Sequence, residues 1–290
     1  MIYNSASQWR GAAHKRVLLF ATSGLGKTHV SHILRRSQAW FHYSVDYRIG
    51  TRYMAPHIVD NAIKAAMQVP ELAQMLRSDS IHIAANVLTE DLTAVSQYLG
   101  KPGDPARGGL PFETYVDRQM QFKAAEEAAL LDTAAFIERA QSLYGYPHFI
   151  CDTGGSICEW VDPDDPRDPI MTQLAAQNLM VWIEGSQDHT AELIRRFDLA
   201  PKPMAYQPAF LLRVWHDYLV QNQCTAEQVD PDAFIRWAYS QALAHRQPRY
   251  KAMAQRWGLT IPAAKMAMVQ TAGDFEDVIA DALAARTHAP

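Results

Sequence analysis

A run of eight residues near the N-terminus combines the groups that hold a chain of phosphates. The run is Ala21-Thr22-Ser23-Gly24-Leu25-Gly26-Lys27-Thr28. Its glycines let backbone N–H groups approach an anion closely, Lys27 adds an ammonium that bridges the outer phosphates, and Thr28 offers a hydroxyl to Mg²⁺. Ala21 stands where the usual pattern has glycine, and it keeps that position small. We call this run the phosphate loop.

The elements around the phosphate loop fit that chemistry. Residues 16–21 form a short continuous apolar run, typical of a parallel strand that is buried on both faces. After the loop, Val30, Ile33 and Leu34 recur at helical spacing. A strand, a glycine-containing loop and a helix in this order favour a nucleotide site over a structural turn, which is the alternative. We therefore predict bound ATP with Mg²⁺, in contact with Ser23, Gly24, Leu25, Gly26, Lys27, Thr28 and His29.

Asp152 is the candidate ligand for the metal. It ends a buried-strand pattern over residues 148–152. Because Mg²⁺ keeps several waters and takes one or two carboxylates, we expect Asp152 to hold its water shell while Thr28 binds the ion. The alternative is that Asp152 caps the bend at Gly154 and Gly155.

Asp46 is the candidate general base. It ends an aromatic-rich strand pattern over residues 40–46. Its carboxylate either accepts the proton of an attacking hydroxyl or pairs with Arg48 or Arg52 as part of the structure. The sequence leaves both alternatives open.

Three arginines are candidates for binding negative charge. Arg195 and Arg196 follow a buried-strand pattern at residues 179–184 and could neutralise the charge of a transferred phosphoryl group. Basic residues late in a helix also complement its dipole, which is the alternative. Arg118, on a long helix predicted from 112 to 131, is a candidate contact for an anionic acceptor, and a solvated helix face is its alternative.

Composition limits the classes of protein and partner. The chain has 290 residues with 27 Lys and Arg against 31 Asp and Glu, which gives no overall electrostatic reason to bind nucleic acid. No apolar run reaches the length of a membrane helix. The three cysteines, Cys151, Cys158 and Cys224, lack the spacing of a zinc site, and we expect free thiols in a cytoplasmic protein.

The order of the predicted elements indicates the fold class. We predict an α/β, three-layer P-loop NTPase fold with a mainly parallel sheet of five strands and large helical insertions, and with the last strand at residues 265–270. The predicted core comprises residues 1–55, 146–200 and 263–290, interrupted by a helical substrate-side insertion at 56–145 and a helical lid and C-terminal elaboration at 201–262. The insertion contains a stretch rich in glycine and proline, residues 100–111, which we call the glycine loop.

The chain resembles the P-loop kinases of small molecules and nucleotides, in particular shikimate-kinase-like and nucleotide-kinase-like proteins. The phosphate loop and the order of the other motifs carry this resemblance, although the insertion is far longer than that of a shikimate kinase. The resemblance implies transfer of a phosphoryl group from ATP to a small acceptor. It implies contacts to the acceptor from Asp46, Arg48, Arg52, Gly154 and Gly155, a lid with Arg195 and Arg196, and contacts to adenine from Thr271, Ala272 and Gly273.

Two other functions are compatible with a phosphate loop. An ATPase uses hydrolysis to switch conformation and needs no acceptor, and a nucleotide-sensing regulatory protein binds ATP without turnover. The tetrapeptide Asn-Lys-x-Asp that reads guanine is absent, which disfavours a GTPase. We predict a kinase with ATP and Mg²⁺ as cofactors, a small-molecule acceptor that the sequence does not identify, and no membrane or nucleic-acid partner.

Overall fold

Five parallel strands form the central sheet of the protein. The computed structural model describes residues 1–89 and 91–287, so residue 90 of the predicted insertion and residues 288–290 of the predicted C-terminal segment lie outside the described residues. The strands are β1 (Arg16–Phe20), β2 (Trp40–Ser44), β3 (His148–Asp152), β4 (Leu179–Glu184) and β5 (Gly258–Pro262), in the spatial order β2-β3-β1-β4-β5. All neighbouring pairs are parallel. The predicted α/β fold with a five-stranded, mainly parallel sheet is confirmed.

Helices connect the strands, because parallel neighbours require crossover connections. In the described part of the chain they are α1 (Ala6–Gly11), α2 (Lys27–Arg36), α3 (Val45–Arg48), α4 (Ala55–Ala66), α5 (Pro70–Arg77), α6 (Thr93–Leu99), α7 (Phe112–Leu131), α8 (Thr133–Ser142), α9 (Ile157–Trp160), α10 (Pro169–Gln177), α11 (Gln187–Leu199), α12 (Pro208–Asn222), α13 (Pro231–Trp257), α14 (Ala263–Met266) and α15 (Ala272–Thr287). A π-helical segment, Ile49–Met54, joins α3 to α4. The long predicted helix at 112–131 is confirmed as α7. None of the described helices is long and apolar enough to span a bilayer.

The sheet lies in the first of two compact units, which comprises residues 1–45, 130–200 and the chain from Ala238 onward. β1 and β4 form its buried centre, where the side chains from Val17 to Phe20 are fully inaccessible to solvent. Trp40 of β2 packs edge-on against Phe275 of α15 with 5.7 Å between ring centroids. These continuous apolar strands explain why the sequence pattern predicted β1, β3 and β4 at the correct residues.

The predicted position of the fifth strand, residues 265–270, was wrong. Residues 263–266 form helix α14, and β5 lies earlier, at Gly258–Pro262. Ala, Lys and Met favour a helix, and their alternation had imitated a strand. Gly258 is required in the strand because a Cβ there would lie 2.2 Å from the carbonyl oxygen of Met180. Pro262 is tolerated because β5 is an edge strand.

The second strand is shorter than predicted, which changes the place of Asp46. β2 ends at Ser44, and Asp46 lies in the first turn of α3 rather than at the end of a strand. A carboxylate in the first turn is stabilised by the partial positive charge of the helix N-terminus. Asp46 also makes interactions with its surroundings, and its role as a base stays a prediction.

The second compact unit comprises residues 46–129 and 201–237 and has an aromatic core. Phe112 stacks on Trp215 at 4.4 Å, and Trp215 packs edge-on against Phe234 at 4.9 Å. The side chain of Gln119 donates to the carbonyl of Met204 at 3.0 Å and accepts from the amide of Tyr206 at 3.0 Å. These two hydrogen bonds fix the extended segment that leads into α12.

Candidate functional site

The phosphate loop lies between β1 and α2 and has the backbone shape that an anion-binding loop needs. Gly24 and Gly26 have φ angles of 89° and 88°, in the left-handed region that favours glycine. Lys27 is the first residue of α2 and is only 6% exposed. Its Nζ donates to the carbonyl oxygens of Ala21, at 2.9 Å, and Thr22, at 3.4 Å. The ammonium is therefore held against the loop's own backbone, while Thr28 is exposed in the first turn of α2.

The phosphate loop lies at a point of the sheet where the connections from neighbouring strands leave in opposite directions. From β1 the chain leaves toward β2 on one side, and from the neighbouring β4 it leaves toward β5 on the other side. Ligands of open parallel sheets bind outside the carboxyl ends of strands at such a switch point. The carboxyl end of β1 leads directly into the phosphate loop.

The turn after β3 approaches the phosphate loop closely. A Cβ on Gly155 would lie 3.1 Å from the amide nitrogen of Ser23, so only glycine leaves this space open. The hydroxyl of Thr153 donates to the carbonyl of Leu19 at 3.0 Å, which ties the turn to β1. The structure thus brings the predicted Gly154-Gly155 turn and the phosphate loop together.

Asp152 lies at the carboxyl end of β3, opposite Leu19 of β1 and Ser44 of β2. It is 4% exposed. Its Oδ2 lies 3.7 Å from Nε2 of His42, a residue of β2 that the sequence analysis did not single out. Among the described residues no three His, Cys, Asp or Glu side chains group as a metal site. The oxygen donors of Thr28 and Asp152 suit Mg²⁺, which commonly binds through few protein ligands and substrate phosphates.

A buried ion pair, missed by the sequence analysis, anchors the turn after β3. Arg246 of α13 and Glu159 of α9 are 1% and 0% exposed at their side chains and lie 2.5 Å apart, Nε to Oε1. Arg246 Nη1 and the hydroxyl of Tyr250 both donate to the carbonyl of Gly155, at 3.2 Å and 2.5 Å. Although burial opposes it, the charge of Glu159 raises the pKa of Arg246 above its ordinary value. The available signal was the spacing of Arg246, Arg249 and Tyr250, which puts them on one face of a helix.

The surroundings of Cys158 lead to a testable prediction about thiol reactivity. Burial has the largest effect on the Cys158 thiol and, together with the charge of Glu159, raises its pKa to about 12. Cys151 is buried as well, whereas Cys224 is partly exposed. Because the thiolate is the reactive form, we expect a disulfide reagent at pH 8 to label one thiol rapidly in the folded protein, at Cys224, and all three in urea. Rapid labelling of all three without denaturant would contradict this arrangement.

A cavity of about 250 Å³ adjoins the phosphate loop. Its lining includes Gly24, Gly26, His29, His189, Ala263 and Met266. The sequence analysis placed adenine beside Thr271, Ala272 and Gly273 because they were thought to follow the last strand. In the structure α14 follows the last strand, and Thr271 caps α15 by accepting from the amide of Asp274 at 3.1 Å. The adenine contacts assigned to Thr271, Ala272 and Gly273 stay predictions. Ala263 and Met266 line this cavity, and the sequence analysis did not single them out because it misplaced the last strand.

The remaining candidate arginines are engaged in local contacts. Arg195 and Arg196 of α11 both bind Glu192, at 2.8 Å and 2.6 Å, with about two thirds of each side chain exposed. Hydrogen bonds from Arg195 and then Arg196 lower the pKa of Glu192 to about 2. In the second unit, Arg118 donates to the amide oxygen of Asn61 at 3.0 Å. Its guanidinium also lies 4.6 Å from the ring centroid of Tyr98.

Arg48 and Arg52 lie on the helical segment that follows Asp46. The guanidinium of Arg48 lies 5.6 Å from the ring centroid of Tyr53, whereas Arg52 is exposed. The functional roles assigned to these arginines stay predictions.

Adding a methyl group at Gly24 tests the shape of the phosphate loop. At φ 89° a Cβ is strained, and it would lie 2.9 Å from Cδ2 of Leu193. We expect Gly24→Ala to lower the free energy of unfolding by about 1–2 kcal/mol in urea titrations. Gly11→Ala is the matched control, because a Cβ there meets nothing within 4 Å. Equal unfolding free energies for the two variants would argue against a strained loop.

Known proteins provide little similarity to this chain. No protein-family model matches the sequence, and no curated protein matches it significantly. Among solved structures, a shikimate kinase from Bacteroides thetaiotaomicron is similar at 14% identity and a TM-score of 0.37, over 91% of this chain and 94% of that one. At this level the similarity carries no inference about activity, so the interpretation of the site rests on the contacts described above.

Proposed function

We propose that this protein is a kinase that binds Mg-ATP at the phosphate loop and transfers the γ-phosphoryl group to a small-molecule acceptor. One observation carries the proposal. The loop between β1 and α2 has two left-handed glycines and a buried lysine ammonium at the carboxyl end of the central strand. That combination of backbone donors, helix N-terminus and cation is the one that a polyphosphate requires.

The residues around the loop fit the cofactor. The Thr28 hydroxyl and the Asp152 carboxylate are oxygen donors, the ligand type that Mg²⁺ prefers, and would hold the ion and its waters. When bound, Mg²⁺ offsets negative charge on the outer phosphates. The Lys27 ammonium would leave the carbonyls of Ala21 and Thr22 to bind phosphate oxygens. The exchange keeps a buried charge paired, which limits its cost.

The cavity beside the loop would hold the adenine ring. Its volume of about 250 Å³ is below the roughly 300–1,000 Å³ of pockets for whole drug-sized ligands and therefore fits part of a nucleotide. Met266 and Ala263 offer apolar surface, and His29 and His189 offer ring nitrogens and flat faces. Adenine needs both kinds of contact, because its faces are apolar and its edge carries hydrogen-bonding groups.

On the acceptor side, Asp46 is proposed to take the proton of the attacking hydroxyl. The acceptor oxygen forms a bond to the γ-phosphorus, the bond from that phosphorus to the bridging oxygen breaks, and ADP leaves. Arg195 and Arg196 would release Glu192, bind the transferred phosphoryl group and offset its negative charge. Acceptor contacts are proposed for Arg48, Arg52, Arg118, Gly154 and Gly155.

ADP release in the presence of a metabolite library tests the proposal. We expect slow hydrolysis of Mg-ATP by the protein alone and a rise of orders of magnitude with the right acceptor. Asp46→Asn and Arg195→Ala/Arg196→Ala should remove that rise. Arg213→Ala is a matched control, because Arg213 is an exposed helical arginine paired with Asp217 and has no assigned role.

The other outcomes distinguish the rival functions. Fast hydrolysis that needs no acceptor and survives Asp46→Asn would identify an ATPase. Tight nucleotide binding without turnover under every condition would identify a sensor. Either result contradicts the kinase proposal while leaving the phosphate loop as a nucleotide site.

A further inference from the structure

The second unit contains a larger cavity that shares no residue with the phosphate loop. Its volume is about 640 Å³, within the range of pockets that take small molecules. Five segments line it: the loop before α6 with Thr89, Asp91 and Leu92, the face of α6 with Thr93, Ser96 and Gln97, the glycine loop, the short segment Pro201-Lys202-Pro203, and the start of α13 with Pro231 and Asp232. All of these segments belong to the second unit, so the cavity is formed within one compact body.

The glycine loop forms a fixed wall of this cavity. The amide of Gly103 donates to Leu110 at 2.9 Å, the amide of Leu110 donates to Lys101 at 2.8 Å, and the amide of Asp104 donates to Val229 at 2.8 Å. A Cβ on Gly103 would lie 2.5 Å from the carbonyl oxygen of Val229, so glycine is required at this contact. The backbone of the wall is thus held in place by hydrogen bonds and close packing.

Among the described residues of the lining, one cation has no carboxylate at ion-pair distance. Lys101 is neutralised by Asp232 at 2.5 Å, and Arg107 forms an ion pair with Asp230. Lys202 has no carboxylate within ion-pair distance in the described part of the chain. Asp91 also lines the cavity, and its pKa is lowered mainly by hydrogen bonds from Thr93 and less by the charge of Lys202.

The backbone around Lys202 also favours a binding role. The prolines on both sides restrict its backbone and exclude it from a helix. Helix α6 supplies uncharged polar groups to the cavity. Thr93, Ser96 and Gln97 follow the spacing of one helix face and present two hydroxyls and an amide. A ligand that satisfies the lining needs an anionic group for Lys202 and hydroxyl groups for α6.

We propose that this cavity binds a small organic anion that carries hydroxyl groups, with Lys202 as the residue that holds the anionic group. The anion is a carboxylate or a phosphate ester, since both offer charged oxygens to an ammonium. The hydroxyls of the ligand exchange hydrogen bonds with Thr93, Ser96 and Gln97. This site is independent of the nucleotide site.

Calorimetric titration of the full chain with glucose 6-phosphate, gluconate and neutral glucose tests the proposal. We expect one or both charged probes to bind and glucose to give no heat. Comparison of the two charged probes shows whether the site prefers a phosphate ester or a carboxylate. Lys202→Met should weaken binding about tenfold or more, as loss of a charge-assisted hydrogen bond does. Lys64→Met is the matched control, because Lys64 is an exposed lysine of the same unit on α4.

Lys27→Ala separates this site from the phosphate loop, which would also attract a phosphate ester. Binding that depends on Lys202 and survives Lys27→Ala supports the proposal. Binding lost in Lys27→Ala but kept in Lys202→Met would overturn it and assign the heat to the phosphate loop. Absence of binding by both charged probes, or equal binding of glucose, would also overturn it, whatever the outcome of the kinase tests.

Discussion

Replacing Arg246 by methionine should lower the free energy of unfolding by about 3–5 kcal/mol, because it leaves the buried carboxylate of Glu159 without its partner. The pair is inaccessible to solvent, so water cannot replace the guanidinium. The carbonyl of Gly155 would also lose one of its two donors, the other being Tyr250. Urea titrations followed by circular dichroism measure this loss.

The matched control for Arg246 is the double variant Arg246→Met/Glu159→Leu. Replacing both members of a buried ion pair by apolar residues is often close to neutral, so we expect the double variant to regain most of the lost stability. A single variant that costs less than about 1 kcal/mol, or a double variant as unstable as the single one, would show that the pair does not anchor the turn.

Lys27→Ala should lower ADP release, with or without acceptor, by roughly 10²–10³, by analogy with removal of one preorganised donor to a transition state. Lys27 is the cation of the phosphate loop and is held against it by Ala21 and Thr22. The measurement is coupled-assay turnover at saturating Mg-ATP. Lys251→Ala is the control, because Lys251 is an exposed lysine of α13. Turnover that falls equally in both variants would point to an indirect effect.

The sequence could predict those parts of the fold that local patterns determine. β3 and β4 are continuous apolar runs, so their residues were identified correctly. β5 was missed because an edge strand tolerates Gly258 and Pro262, residues that normally signal a break. The helical start at Val45 was missed because the apolar alternation of β2 continues by one residue into α3.

The candidate site likewise contains a part that local sequence patterns determine and a part that depends on contacts between distant residues. The phosphate loop is contiguous in the sequence, and its motif reports its shape directly. The contact of Arg246 with Glu159 joins residues 87 positions apart, and no local pattern reveals such a pairing. Similarly, the cavity beside the loop is lined by Ala263 and Met266 of α14, and this helix was not predicted because the last strand was placed over part of it.

Calorimetric titration of the wild-type protein with ATP, in the presence and absence of Mg²⁺, tests the central claim most directly. The account predicts binding of one nucleotide per chain that requires Mg²⁺ and is strongly weakened in Lys27→Ala, since the ammonium and the ion together offset the phosphate charge. No heat of binding, or an affinity for Mg-ATP that is unchanged in Lys27→Ala, would contradict the assignment of residues 21–28 as a nucleotide site.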